Sequence, residues 1–131
     1  MLYIDKRCIA YGGILVKIDK ELLKGSTTML ILKLLDSGDM YGYQMTKELE
    51  SRSDNTFTLK EGTLYPILHS LESDQMIEAY WEDTESARKR KYYRITKNGK
   101  KLLSEKQKEW DKYAAGVRKV LGGAAVEQIC Y

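Results

Sequence analysis

A change of period at Met76 constrains this chain more than any other feature. Before it, apolar residues recur at helical spacing; after it, they alternate. Leu64, Ile67, Leu68 and Leu71 fall at i, i+3, i+4 and i+7, the stripe of a helix with one face on a core. Ile77-Glu78-Ala79-Tyr80-Trp81-Glu82 and Lys91-Tyr92-Tyr93-Arg94-Ile95 instead have the β-branched and aromatic content of strands. The polar run from Asp83 to Arg90 between them reads as a turn, so the pair predicts a hairpin.

Helices flank this hairpin on both sides. Leu22, Leu23, Leu30, Ile31, Leu34 and Leu35 predict one helix that stops at Gly38. Met45 and Leu49 predict a shorter one after Gly42. The third helix is expected to start near Gly62 or Thr63, which puts Pro66 in its first turn, where a missing N–H costs nothing. Thr96 has the chemistry of an N-cap for a last long helix. In that helix Leu103, Gln107, Trp110, Ala114, Val117 and Leu121 follow a 4-3-4-3-4 spacing, widened by Leu102, Tyr113 and Val120 and ended by Gly122-Gly123. The chain is therefore mainly α with a small β-hairpin.

Residues 1–18 have no amphipathic period and read as an N-terminal tail, without the apolar core or cleavage site of a signal peptide. Gly12-Gly13 can be encoded as a ribosome-binding GGAGG and Val16 as a GTG start, so a mis-assigned start is expected for this tail. The 131 residues suit one domain with an appendage. No apolar run approaches the ~18 residues of a membrane helix. Cys8 and Cys130, at opposite ends, make no disulfide framework, and a reducing cytoplasm is the expected location. With one His and no Cys pair at ligand spacing, neither a metal site nor a cofactor is expected. There is also no nucleophile elbow, phosphate-binding glycine loop or recognisable carboxylate pair, so an enzyme is not expected.

The net charge of +3 conceals strong segregation. Glu61 to Ala87 holds seven acids and no Lys or Arg, whereas Arg88 to Lys101 holds eight Lys and Arg and no acid. A run of like charge is either a solvated loop or a phosphate-binding element. The order of elements decides between them. Three helices followed by a hairpin is the plan of a winged helix-turn-helix, here with a long C-terminal helix added, and in that plan the later helix of the pair enters the major groove of double-stranded DNA. What the apolar stripe leaves over on the third helix is Thr63, Tyr65, Pro66, His69 and Ser70, suited to base edges, thymine methyls and phosphates. Lys60 at the helix start and Tyr41 beside the Gly42 turn are expected on phosphates. Arg88, Lys89 and Arg90 at the wing are expected to grip backbone.

Leu59-Lys60-Glu61-Gly62-Thr63-Leu64-Tyr65-Pro66-Ile67-Leu68 resembles the recognition segment of PadR-type transcriptional regulators. Met40-Tyr41-Gly42-Tyr43-Gln44-Met45 and Arg88-Lys89-Arg90-Lys91-Tyr92-Tyr93-Arg94-Ile95-Thr96 are similar to two further motifs of that family, in the same order. The resemblance runs from about Lys20 to Leu121. It departs at Ser70, where the family often has Arg or Lys, and at Ser86-Ala87, where glycines are common. It implies a homodimeric, usually repressing regulator of an AT-rich inverted repeat of ATGT/ACAT type, in the subgroup with one C-terminal helix that packs on the partner's first helix.

Under that implication residues 19–96 are the winged helix-turn-helix domain, 97–122 the C-terminal dimerisation helix and 123–131 a C-terminal tail. Leu22, Leu103, Trp110, Ala114, Val117 and Leu121 are then the expected dimer interface. Trp110 is either an interface anchor or, since regulators of this family sense small molecules, a stacking surface for a planar hydrophobic effector, with Met29 and Tyr113 lining the same space. A competing reading keeps the fold as a winged-helix protein–protein interaction module, because the third helix carries no Lys or Arg on its free face.

Overall fold

A computed structural model describes residues 18–86 and 88–122. The expected tails (apart from Ile18), both cysteines and Ala87 of the hairpin turn lie outside the described residues. Asp19 starts the first helix, α1 (Lys20–Lys24), by accepting from the Glu21 N–H at 2.7 Å. The apolar spacing predicts a single helix through Leu35, but the chain breaks it after five residues. The Ser26 N–H, the Ser26 hydroxyl and the Thr27 hydroxyl all donate to the Leu23 carbonyl, at 3.0, 3.1 and 2.8 Å. Such short side chains compete with the helical ladder for its carbonyls. The next helix, α2 (Thr27–Asp36), buries Ile31, Leu32, Leu34 and Leu35.

A two-residue strand, β1 (Met40–Tyr41), comes next and has no counterpart in the sequence expectations. The helix-turn-helix pair is α3 (Gly42–Arg52) and α4 (Glu61–Ser73). Because α4 starts at Glu61, Pro66 sits in its second turn and not, as expected, in its first. Proline offers no N–H to the Gly62 carbonyl, but Gly62 is exposed and water can satisfy that oxygen. The loop between the helices turns through Asp54 and Asn55 at φ of 51° and 64°, a conformation these two residue types tolerate.

The hairpin consists of β2 (Ile77–Asp83) and β3 (Lys89–Ile95), and β1 adds to it in the order β1-β3-β2, all antiparallel. Alternation sends Ile77, Tyr93 and Ile95 into the core and Tyr80 and Tyr92 to the opposite face. The final helix, α5 (Lys97–Leu121), begins where Thr96 Oγ1 accepts from the Gly99 N–H at 3.1 Å and donates to the Gln75 carbonyl at 2.7 Å. It ends before Gly122, whose φ is 75°.

Residues 18–107 form one compact unit, and α5 from Lys108 onward belongs to another. The core of the first unit joins α2, α3, α4, the sheet and the start of α5. Leu103 is part of that core, with 4% of its surface exposed. This corrects its expected place in a dimer interface: a side chain already enclosed by its own domain has no surface left for a partner. No helix among the described residues is long and apolar enough to cross a membrane.

Candidate nucleic-acid interface

The 3.6-residue period of α4 sorts its side chains into two sets. Leu64, Leu68 and Leu71 are buried, while Thr63, Tyr65, Pro66, His69 and Ser70 are exposed together on the other side. That free face carries hydroxyls, an imidazole and a pyrrolidine ring but no Lys or Arg. Lys60, the N-cap residue of α4, is exposed beside it. Tyr65 does not stand clear of the protein. A Cβ added to Gly42 would meet its hydroxyl and lie 2.9 Å from Cζ, so the ring rests on the first turn of α3. Burial, followed by the nearby Glu61 carboxylate, pushes the Tyr65 hydroxyl above its ordinary pKa. Tyr65 thus couples α4 to α3 while leaving part of its ring exposed.

In the wing, the register undoes the segregation seen along the chain. Glu78 lies opposite Arg94, Glu82 opposite Arg90 and Asp83 opposite Lys89. Between Ile77 and Ile95 four acids therefore stand against five bases. Side-chain contacts then separate the bases into two groups. Arg94 Nε reaches Glu78 Oε2 at 3.0 Å, with its NH1 3.9 Å from Asp39, and Lys91 Nζ lies 3.8 Å from Glu72. Arg88, Lys89 and Arg90 form no ion pair among the described residues and are exposed. At the wing tip the Thr84 N–H donates to the Arg88 carbonyl at 3.0 Å and the Thr84 hydroxyl meets the same oxygen, which closes the turn with side-chain chemistry.

Tyr41 is half-buried and meets Tyr92 edge-on, with ring centroids 5.4 Å apart. The Arg90 guanidinium lies over the same Tyr41 ring, 4.2 Å from its centroid. The structure thus brings Tyr41 and Arg90 together, 49 positions apart in the chain. Sequence reasoning missed Asp39, Tyr80 and Tyr92, which share this outer face. The signal available was parity: a turn centred on Ser86 folds the acids of β2 onto the bases of β3, and Tyr80 onto Tyr92.

The remaining candidates lie elsewhere. Leu22 is exposed, and Met29 is half-buried and packs against the core of the first unit. On the later part of α5, Trp110, Tyr113, Val117 and Leu121 are exposed and Ala114 is half-buried. The Trp110 and Tyr113 rings lie 6.0 Å apart at a 35° tilt. Among the described residues no group of His, Cys, Asp or Glu is placed to hold a metal ion.

A helix pair with a free face on its second member, followed by a basic-tipped antiparallel wing, defines a winged helix-turn-helix protein of the DNA-binding class. Residues 31–105 match the Transcriptional regulator PadR-like family. Over 104 residues the chain is 31% identical to the transcriptional regulator Rv3488 of Mycobacterium tuberculosis, covering 79% of this chain and 91% of that one. It is 43% identical over 93 residues to an uncharacterized protein of Lysinibacillus sphaericus, covering 71% and 85%. Its fold is similar to that of a transcriptional regulator from Clostridium thermocellum, with a TM-score of 0.68, 32% identity and coverage of 81% and 99%. A PadR-like transcriptional regulator from Bacillus cereus gives a TM-score of 0.68, 30% identity and coverage of 78% and 97%. The chain belongs to the PadR-like family of transcriptional regulators, which are DNA-binding proteins and not enzymes.

Proposed function

We propose that this regulator is a homodimeric repressor of an AT-rich inverted repeat, released by a planar hydrophobic ligand. The observation that carries the DNA-binding part is the separation of the wing bases: Arg88, Lys89 and Arg90 have no acid partner among the described residues, while Lys91 and Arg94 do. In this reading the neutral exposed face of α4 reads base edges through Thr63, Tyr65, Pro66, His69 and Ser70. Lys60 and the wing supply sequence-independent grip on phosphates, and Tyr41 contributes from beneath Arg90. With only three free bases per wing, affinity must come from two copies acting on two half-sites.

The exposed Trp110, Tyr113, Val117 and Leu121 favour the later part of α5 as the dimerisation element, since a helix rarely leaves such a row to water. The tilted Trp110–Tyr113 pair supports an effector site there. Binding to a labelled duplex from upstream of its own gene, at rising salt and with a panel of planar hydrophobic compounds, tests both parts. Salt-sensitive binding relieved by a compound that also quenches Trp fluorescence is expected. Salt-independent behaviour, or no binding even at low salt, would leave the winged-helix interaction module as the better reading. Unchanged fluorescence and affinity across the panel would remove the effector.

A further inference from the structure

We propose that Asp39 and Tyr80 are positioning residues for DNA binding, which pin the outer face of the wing to the turn before α3 so that Arg90 meets the duplex from a fixed place. The proposal rests on the reading that the wing grips phosphate. On the core side, the sheet is held by Ile77, Tyr93 and Ile95, which would pack equally well without any contact on the outer face. The backbone link to the helix-turn-helix is short, because β1 pairs only Met40 with Tyr93 and Tyr41 with Tyr92.

A closed ring of side chains on the outer face reinforces that link. The Tyr80 hydroxyl donates to Asp39 Oδ2 at 2.7 Å. Tyr80 stacks on Tyr92, with centroids 5.8 Å apart and planes within 16°. Tyr92 meets Tyr41, and Arg90 lies over Tyr41. Asp39 and Tyr41 belong to one three-residue segment, so both ends of the ring return to the same anchor at the start of α3. The Arg94 guanidinium, 4.8 Å over the Tyr80 ring and bonded to Glu78, braces the ring from the β3 side. Without the Asp39–Tyr80 bond the ring is closed only through the longer Arg94–Asp39 contact of 3.9 Å, and the outer face of the wing is held less firmly to the turn before α3.

Exposed polar contacts of this kind add little to global stability, so their loss should be read in binding and hardly in unfolding. Tyr80→Phe keeps the stack and removes only the hydroxyl; Asp39→Asn weakens the same bond from the other end. Each is expected to weaken binding to the labelled upstream duplex by about five-fold, the equivalent of one hydrogen bond, with the double variant no weaker than the singles. The thermal midpoint should stay within about 2 °C of the parent, since surface substitutions rarely cost more.

The discriminating measurement repeats Tyr80→Phe in a chain already carrying R88A, K89A and R90A, at low salt. If the hydroxyl acts through the wing, its loss has no further effect there. An equal loss in both backgrounds, or no loss in the parent, overturns the proposal. Parent-like binding by the R88A/K89A/R90A chain itself would instead refute the phosphate-gripping wing, and the positioning role with it.

Discussion

Replacing Arg88, Lys89 and Arg90 together with alanine puts the charge register of the wing to a quantitative test. Each base that neutralises a phosphate releases condensed counterions and contributes about 0.9 to the log–log slope of affinity against salt. Three bases without an acid partner therefore predict a slope reduced by about 2.7 for each wing that engages DNA. Over a fourfold rise in salt this amounts to about a 40-fold difference in how much affinity is lost. Arg94→Ala is the matched control, because its guanidinium already holds Glu78 at 3.0 Å and lies 3.9 Å from Asp39. Its removal should alter the slope by much less than about 0.9. Fluorescence anisotropy of a labelled inverted-repeat duplex over a salt series measures both. A triple variant with the parental slope, or an Arg94→Ala variant with a full unit of change, would refute the idea that side-chain ion pairing selects which bases reach phosphate.

Other perturbations probe the frame that holds this site. Gly99→Ala sets helix propensity against packing: alanine is favoured by about 1 kcal/mol, but its Cβ would meet the Met76 carbonyl oxygen and stand 2.7 Å from Ile95 Cγ1. Overpacking against backbone costs about 1–3 kcal/mol, so calorimetry should show a midpoint lowered by several degrees, and a raised one would contradict the packing. Leu103→Ala should cost about 2–5 kcal/mol in urea denaturation while leaving the oligomeric state in sedimentation unchanged; a dissociated assembly with undiminished stability would return Leu103 to the interface. The hydrogen bond to Asp39 pushes the Tyr80 hydroxyl up to about 12. In the unfolded chain it titrates near its ordinary value of about 10. Its contribution to stability is therefore complete below about pH 10 and is lost as pH rises toward 12. Ring-carbon NMR should find the Tyr80 resonance ionising late, and in Asp39→Ala the same resonance should ionise at clearly lower pH than in the parent.

Much of the fold was legible because it rests on local periodicity. The i, i+3, i+4, i+7 stripe of α4, the alternation after Met76 and the cap at Thr96 are properties of neighbouring residues, and each element formed where its pattern lay. The errors have equally specific causes. The helix from Leu22 to Leu35 broke because two hydroxyls compete for the Leu23 carbonyl, a local preference that an apolar stripe does not record. Pro66 fell in the second turn because the start of α4 moved upstream by one or two residues, within the usual uncertainty of helix ends. Strand β1 exists only because β3 lies beside it, so its two residues carry no period of their own.

By itself the sequence determined the kinds of element, their order, the winged helix-turn-helix plan and the residues left on the free face of α4. These follow from backbone geometry acting over a few residues, and from three motifs in one order. Only the tertiary structure decided which charges remain available. Seven acids followed by eight bases look like opposed patches along a line. Antiparallel pairing folds one run onto the other and sets Arg94 against Glu78, packing of the wing beside α4 brings Lys91 to Glu72, and Arg88, Lys89 and Arg90 stay without an ion pair among the described residues. It also enclosed Leu103 and carried Asp39 to Tyr80 across 41 positions. Coulombic and packing energies depend on distance in space, and for such pairs that distance is set by strand register and by how the sheet packs on the helices, not by sequence separation.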